Sequence, residues 1–170
     1  MNLALYGGSF NPPHNGHLSV ARRALEELSL QKLIIMPSGD PPHKTMPEGT
    51  PSIFHRLTLC QLAFDSLPDT EVSDFELEGG ARYTIDTVKM LHERYKPDKL
   101  WLLLGSDAWE SFHDWRCAEE LRGLVEVYVV PRDIYPVSST EMRDALDGDK
   151  LPAAVLNYIR KEGLYGTSFS

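Results

Sequence analysis

The chain has 170 residues, with 17 Lys and Arg against 25 Asp and Glu for a formal charge of −8. A chain of that size buries roughly 68–70% of its unfolded surface in one core, and 42% hydrophobic with 25% charged residues excludes disorder, collagen-like repetition, coiled coil and a membrane-embedded bundle. The acidic balance argues against non-specific nucleic-acid binding, which draws its affinity from many phosphate contacts, but leaves room for a small phosphorylated ligand held by a few local groups.

Leu3 to Gly7 is a short apolar run ending in Gly-Gly, which predicts a buried strand entering a tight turn. Leu18, Ala21, Ala24, Leu25 and Leu28 recur at helical spacing, with Arg22, Arg23, Glu26 and Glu27 opposite. Leu33 to Met36 is a second buried strand, stopped by Pro37. Between Pro37 and Pro51, Pro41, Pro42, Pro47, Gly39 and Gly49 break any regular element, so a loop is expected there. Pro51-Ser52 opens a helix to about Ser66, with Phe54, Leu57, Leu59, Leu62 and Ala63 as core positions. Val72 to Leu77 reads as a further strand and Tyr83 to Tyr95 as an amphipathic helix with Ile85, Val88, Met90 and Leu91 inward. Leu100 to Leu104 and Val125 to Val130 are further strands, closed by Gly105 and by Pro131-Arg132. Ser138 to Met142 starts a short helix with a hydroxyl residue at its N-cap. Leu151-Pro152 begins the last helix, with Pro in the first turn.

Strands and helices alternate, and the strands are continuously apolar, as in a mostly parallel sheet covered by helices on both faces. The expectation is a doubly wound α/β fold, one domain over residues 1–170 with C-terminal helices from about 139. Ligands of such sheets lie beyond the carboxyl ends of the strands, near the point where strand order reverses. Cys60 and Cys117 form no CxxC pair or zinc spacing and read as two buried, reduced thiols. The first residues show no basic region followed by a long apolar stretch, so the expected setting is cytoplasmic, with no membrane or nucleic-acid partner. Oligomeric state is left open, a homo-oligomer included.

The segment from Gly7 through Gly8, Ser9, Phe10, Asn11, Pro12, Pro13, His14, Asn15 and Gly16 to His17 joins the first strand to the first helix. Its glycines let backbone approach a ligand, and the helix start beyond offers N–H groups to phosphate. Neither GxGxxG nor GxxxxGK[ST] is present. No Asp, Glu or Cys in the segment completes a metal site with the two histidines, so no protein metal site is expected.

Gly7 to His17 resembles the HxGH motif of a nucleotidyltransferase superfamily, and Ser138-Ser139-Thr140-Glu141-Met142-Arg143 is similar to the SSTxxR motif of its adenylyltransferases. Pro41-Pro42-His43-Lys44, Tyr83-Thr84, Gly105-Ser106-Asp107 and Phe112-His113-Asp114-Trp115 resemble the nicotinate-nucleotide adenylyltransferases in particular. The resemblance runs from Leu3 to about Tyr165 and implies a Rossmann-like nucleotidyltransferase fold. It implies transfer of an adenylyl group from ATP to nicotinate mononucleotide, with Mg²⁺ arriving on ATP. Other acceptors, nicotinamide mononucleotide or phosphopantetheine, stay open, as does a non-catalytic nucleotide-binding protein of the same fold.

By the same resemblance, Gly7, Gly8, Ser9, Phe10, His14, His17, Gly105, Asp107, Ser138, Ser139 and Arg143 would form the ATP site. Asn11, Lys44, Tyr83, Thr84, Trp115 and Arg132 would hold the mononucleotide, and His14, His17, Lys44 and Arg143 would carry the chemistry. Only five residues separate Arg132 from Ser138, where the family usually has an additional helix and strand.

Overall fold

Five strands form a single parallel sheet in the order β3-β2-β1-β4-β5 in a computed structural model that describes residues 1–39, 46–79, 83–130, 139–144, 146 and 148–166. The strands are β1 (Asn2–Gly8), β2 (Lys32–Pro37), β3 (Thr70–Val72), β4 (Lys99–Gly105) and β5 (Glu126–Val130). Successive strand residues face opposite sides of a sheet, and here both sides are apolar. Ala4, Leu33, Ile35 and Leu103 pack on one face against α1 (Asn15–Glu27), α2 (Ile53–Phe64), α6 (Ser139–Asp144) and α7 (Ala153–Glu162). Leu3, Leu5, Ile34, Met36, Leu100, Leu102 and Leu104 face α3 (Thr84–Tyr95), α5 (Ala118–Leu124) and Phe112 on the other. The short α4 (Ser106–Ser111) follows β4 directly. This is the expected doubly wound arrangement, and the order reverses between β1 and β4, beside the Gly7-Gly8 and Gly105 turns.

Four expectations are corrected. The third strand is Thr70–Val72 rather than Val72 to Leu77. After the Ser73 N–H bonds Ile35 O at 2.8 Å, the Ser73 hydroxyl accepts the Phe75 N–H at 3.2 Å, and Glu78 N–H bonds Asp74 O at 3.0 Å. Those local bonds turn the chain off the ladder.

Phe54 is 76% exposed, because the buried stripe of α2 runs through Arg56, Leu59, Cys60, Ala63 and Phe64 and Phe54 lies off it. Cys60 is buried as expected, but Cys117 is exposed at a left-handed position (φ 56°) before α5, outside both cores. Pro152 is the N-cap of α7 rather than a residue of its first turn.

Candidate active site

The two histidines of the first motif hold the start of α1. His14 is the N-cap, in extended backbone, and its Nδ1 accepts the N–H groups of Gly16 at 3.1 Å and His17 at 3.4 Å. In return the His14 N–H donates to His17 Nδ1 at 3.0 Å, closing a capping box of two imidazoles. The rings stack with centroids 3.8 Å apart and planes 20° from parallel. Since each Nδ1 is an acceptor, each proton sits on Nε2. The outcome is two adjacent Nε2–H donors on neutral rings.

Burial holds the His14 imidazole down at about 4 and His17 well below its ordinary value, with the adjacent His14 depressing it further. The charge of His17, undecided from sequence, is therefore zero near neutrality. An approaching polyphosphate would push both values upward.

The strand-to-helix segment before them is built partly from core. Phe10, at φ 46° and 2% exposed, packs edge-on against Tyr6, His17 and Phe64, so its ring is a wall beside the His17 imidazole. Asn11 is equally buried. Its amide donates to the Thr50 hydroxyl at 2.9 Å and accepts from the Tyr165 hydroxyl at 2.6 Å, and the Asn11-Pro12 peptide is cis. Asn11 thus sits within the wall rather than on its surface, with its side chain committed to protein partners.

Gly7, Gly8 and Gly105 have no left-handed backbone, and a Cβ on Gly105 would meet nothing within 4 Å. Neither conformation nor packing calls for glycine at Gly105; a bare backbone there leaves open space above the switch point. Ser9 is half-buried, and Asp107 is exposed in the first turn of α4.

The second motif reaches the first directly. Arg143 donates from Nη1 to Asn11 O at 2.8 Å and from Nη2 to the Thr140 hydroxyl at 3.2 Å, and the Ser139 hydroxyl donates to Pro12 O at 3.0 Å. Asn15 is tied to the C-terminal segment through its N–H to Lys150 O at 2.9 Å and its amide to Asp149 O at 3.2 Å. The structure therefore brings His14, His17, Ser139 and Arg143 together around one loop.

On the other side of the switch point, Tyr83 is the N-cap of α3 and makes no side-chain cap. The Thr84 and Ile85 N–H groups at this helix start have no partner among the described residues. Trp115 is half-buried and packs on Phe112 at 5.2 Å, so one part of its indole belongs to the second core. Lys44, Arg132 and Ser138 lie outside the described residues.

Two further polar residues, one buried and one half-buried, escaped the sequence reading. Arg56, 2% exposed, donates from Nη1 to Ser38 O at 2.7 Å and to Ser9 O at 3.4 Å, joining the loops after β2 and β1. The helical stripe through Leu59, Cys60 and Ala63 was the signal that could have found it. Glu76 accepts from the Thr87 hydroxyl at 2.9 Å, and burial pushes its carboxyl up to about 7 despite that hydrogen bond. A Cβ on Gly39 would lie 2.9 Å from Glu76 O, so glycine is what lets the segment after β3 press against the end of β2.

The cytidylyltransferase-like family model matches residues 5–147. The Bacillus subtilis nicotinate-nucleotide adenylyltransferase is 34% identical over 185 aligned positions, covering 96% of this chain and 97% of that protein. Since 185 positions exceed the 170 residues of this chain, the alignment leaves relative residues without a counterpart here. A Vibrio parahaemolyticus crystal structure carrying the same assignment superposes with a TM-score of 0.81 at 23% identity, over 99% of this chain and 98% of that one. The Plasmodium falciparum nicotinic acid mononucleotide adenylyltransferase, solved with NaAD, gives a TM-score of 0.78 at 18% identity and 99% coverage of both. With both motifs folded around one loop at the switch point, the chain belongs to the cytidylyltransferase-like family and, within it, to the nicotinate-nucleotide adenylyltransferases.

Proposed function

We propose that the protein transfers the adenylyl group of ATP to nicotinate mononucleotide, releasing pyrophosphate and forming nicotinate adenine dinucleotide, a step of NAD biosynthesis. The observation that carries this reading is the pair of stacked imidazoles whose Nδ1 atoms are used by the backbone and whose Nε2–H groups remain as donors. The Bacillus subtilis relative bears the name of this activity, and the Plasmodium falciparum neighbour was solved with its dinucleotide product.

In the proposed reaction a 5′-phosphate oxygen of the mononucleotide attacks the α-phosphorus of ATP. The bond from that phosphorus to the bridging oxygen of the β-phosphate breaks, and pyrophosphate leaves. The attacking oxygen is already an anion, so no general base is needed, and catalysis rests on alignment and on stabilising the departing charge. His14 and His17 would donate from Nε2 to the ATP phosphates, with His17 beside the bond that breaks. Arg143 keeps donors beyond the two it spends on Asn11 and Thr140, and would hold the β- and γ-phosphates together with Ser138 and Ser139.

Gly7, Gly8, Ser9 and Gly105 would admit the nucleotide close to backbone, and Asp107 would accept from ribose. Lys44 and Arg132 are proposed for the mononucleotide phosphate. The N–H groups at the start of α3 and the Trp115 face are proposed for the pyridine ring and its substituent. Mg²⁺ would enter as part of the ATP complex, held by phosphate oxygens and water. No helix among the described residues is long and apolar enough to cross a membrane, and the cytoplasm remains the proposed setting.

The test is pyrophosphate release from ATP and Mg²⁺ with nicotinate mononucleotide, nicotinamide mononucleotide and phosphopantetheine in separate reactions. Release with nicotinate mononucleotide, together with dinucleotide product, is expected. Release only with another acceptor would change the substrate, and ATP binding with no release from any acceptor would favour a non-catalytic nucleotide-binding protein.

A further inference from the structure

The end of the chain returns to the loop of the first motif. After α7, Gly163 and Tyr165 both take left-handed backbone, at φ 64° and 57°. Glycine adopts that region freely, whereas a tyrosine there is strained and must be held by its contacts. The contact here is a half-buried phenol that donates to Asn11 Oδ1 at 2.6 Å.

Asn11 passes that contact on in two directions. Its Nδ2 donates to the Thr50 hydroxyl at 2.9 Å, and Thr50 gives its own proton to Pro47 O at 2.5 Å. Its backbone carbonyl accepts Arg143 Nη1 at 2.8 Å. With the amide clamped at both ends, Asn11 is held against rotation, and the carbonyl that receives Arg143 keeps one direction. Arg143 needs such an acceptor. It sits on α6, whose six residues are too few to be stable alone, and the Thr140 hydroxyl that its Nη2 meets lies on the same helix. Burial raises the pKa of the Tyr165 phenol, and the Arg143 and Arg56 cations oppose the rise, so both lie within electrostatic reach of it.

We propose that Tyr165 is a positioning residue for the β- and γ-phosphates of ATP: by clamping Asn11 it fixes the carbonyl that aims the Arg143 guanidinium. This rests on the functional reading above, in which Arg143 meets those phosphates. A guanidinium grips phosphate through a planar fork, so the direction of the fork matters as well as its charge. Aiming it in the free protein spares ATP binding the cost of ordering a long side chain.

The test is titration calorimetry of α,β-methylene-ATP with Mg²⁺ and, separately, of AMP, on wild type, Tyr165→Phe, Arg143→Ala and the double variant. Phenylalanine keeps the ring and removes only the hydroxyl. AMP lacks the phosphates that Arg143 would hold, so it reports on the rest of the nucleotide site. Tyr165→Phe is expected to raise the Kd of α,β-methylene-ATP about fivefold, the size of one lost hydrogen bond, and to leave that of AMP nearly unchanged. In the Arg143→Ala background the same substitution is expected to add nothing, because the group it aims is gone. Thr50→Val cuts the other clamp on Asn11 and should weaken α,β-methylene-ATP without weakening AMP.

Tyr165→Phe binding α,β-methylene-ATP like the wild type, losing the same factor for AMP, or losing the same factor without Arg143 would each overturn the proposal and leave Tyr165 a packing contact. If urea titration shows that Tyr165→Phe does not fold, unchanged binding by Thr50→Val overturns it equally. A wild type that binds neither nucleotide would instead overturn the functional reading, and this inference with it. The wild-type titration distinguishes the two failures.

Discussion

His14 and His17 each commit Nδ1 to the backbone, so the fold itself determines which nitrogen carries the proton and where that donor points. A His17→Ala variant would therefore remove a cap bond as well as a donor, and losing a cap costs about 1 kcal/mol. His17→Asn separates the two effects, because the asparagine oxygen can accept the His14 N–H in place of Nδ1 while nothing replaces Nε2–H. We expect His17→Asn to unfold within about 1 kcal/mol of the wild type and to lower kcat by about 10²–10³, read by urea denaturation and pyrophosphate release. A variant that retains full turnover would remove His17 from the chemistry. The identity of these residues was legible from the motif alone. Their tautomer was not, because it depends on backbone geometry at the N-cap.

At the scale of the element, α2 shows how a helix joins the fold to the site. Its buried stripe ends at Arg56, whose Nη1 spans the carbonyls of Ser9 and Ser38 at the exits of β1 and β2. Arg56 has no role assigned from sequence. Here it satisfies two carbonyls in a segment that turns away from the sheet. Arg56→Met preserves much of the stem volume and abandons those acceptors, so it should destabilise the protein by about 2–3 kcal/mol, within the range for lost hydrogen bonds to a charged group. It should also weaken ATP binding, because Ser9 follows the Gly-Gly turn. Phe54→Ala, two residues earlier on the exposed side, should change stability by less than about 0.5 kcal/mol. Parallel urea titrations of the two variants check this, and a larger loss from Phe54→Ala would contradict the placement of the helix face.

For the whole molecule, the histidine pair and Glu76 set opposing pH dependences. Imidazoles held below their ordinary 6.5, His14 at about 4, contribute stability that is complete above 6.5 and lost as pH falls through the folded values. Glu76 is the reverse, raised from 4.5 to about 7: its contribution is complete below 4.5 and lost as pH rises through 7. The two slopes oppose each other between about 4.5 and 6.5. Glu76→Gln removes one of the slopes. Its stability relative to wild type should rise from pH 5 to about pH 7 and level off by pH 8, measured by urea denaturation at each unit of pH. A difference that stays flat would mean that Glu76 titrates normally.

The same scale shows why the C-terminal segment belongs to the site. Burial raises the Tyr165 phenol's pKa and keeps it a donor to Asn11, which lies 154 positions away in sequence. Together with the bonds from Ser139, Arg143, Asp149 and Lys150, that contact fastens the loop of the first motif to the end of the chain.

Apolar runs and helical spacing, being properties of neighbouring residues, were enough to determine the alternation of strands and helices, the parallel sheet with two covered faces, and the position of the first motif at the end of β1. The two motifs were likewise enough to indicate the family. Only the tertiary structure decided that Val72 to Leu77 leaves the sheet after its first residue, that Asn11 is a wall residue held by Thr50 and Tyr165, and that Arg56 is interior. Each of these depends on partners far apart in the chain or on a local turn competing with the strand ladder, and periodicity carries no information about which distant group a buried polar atom will meet.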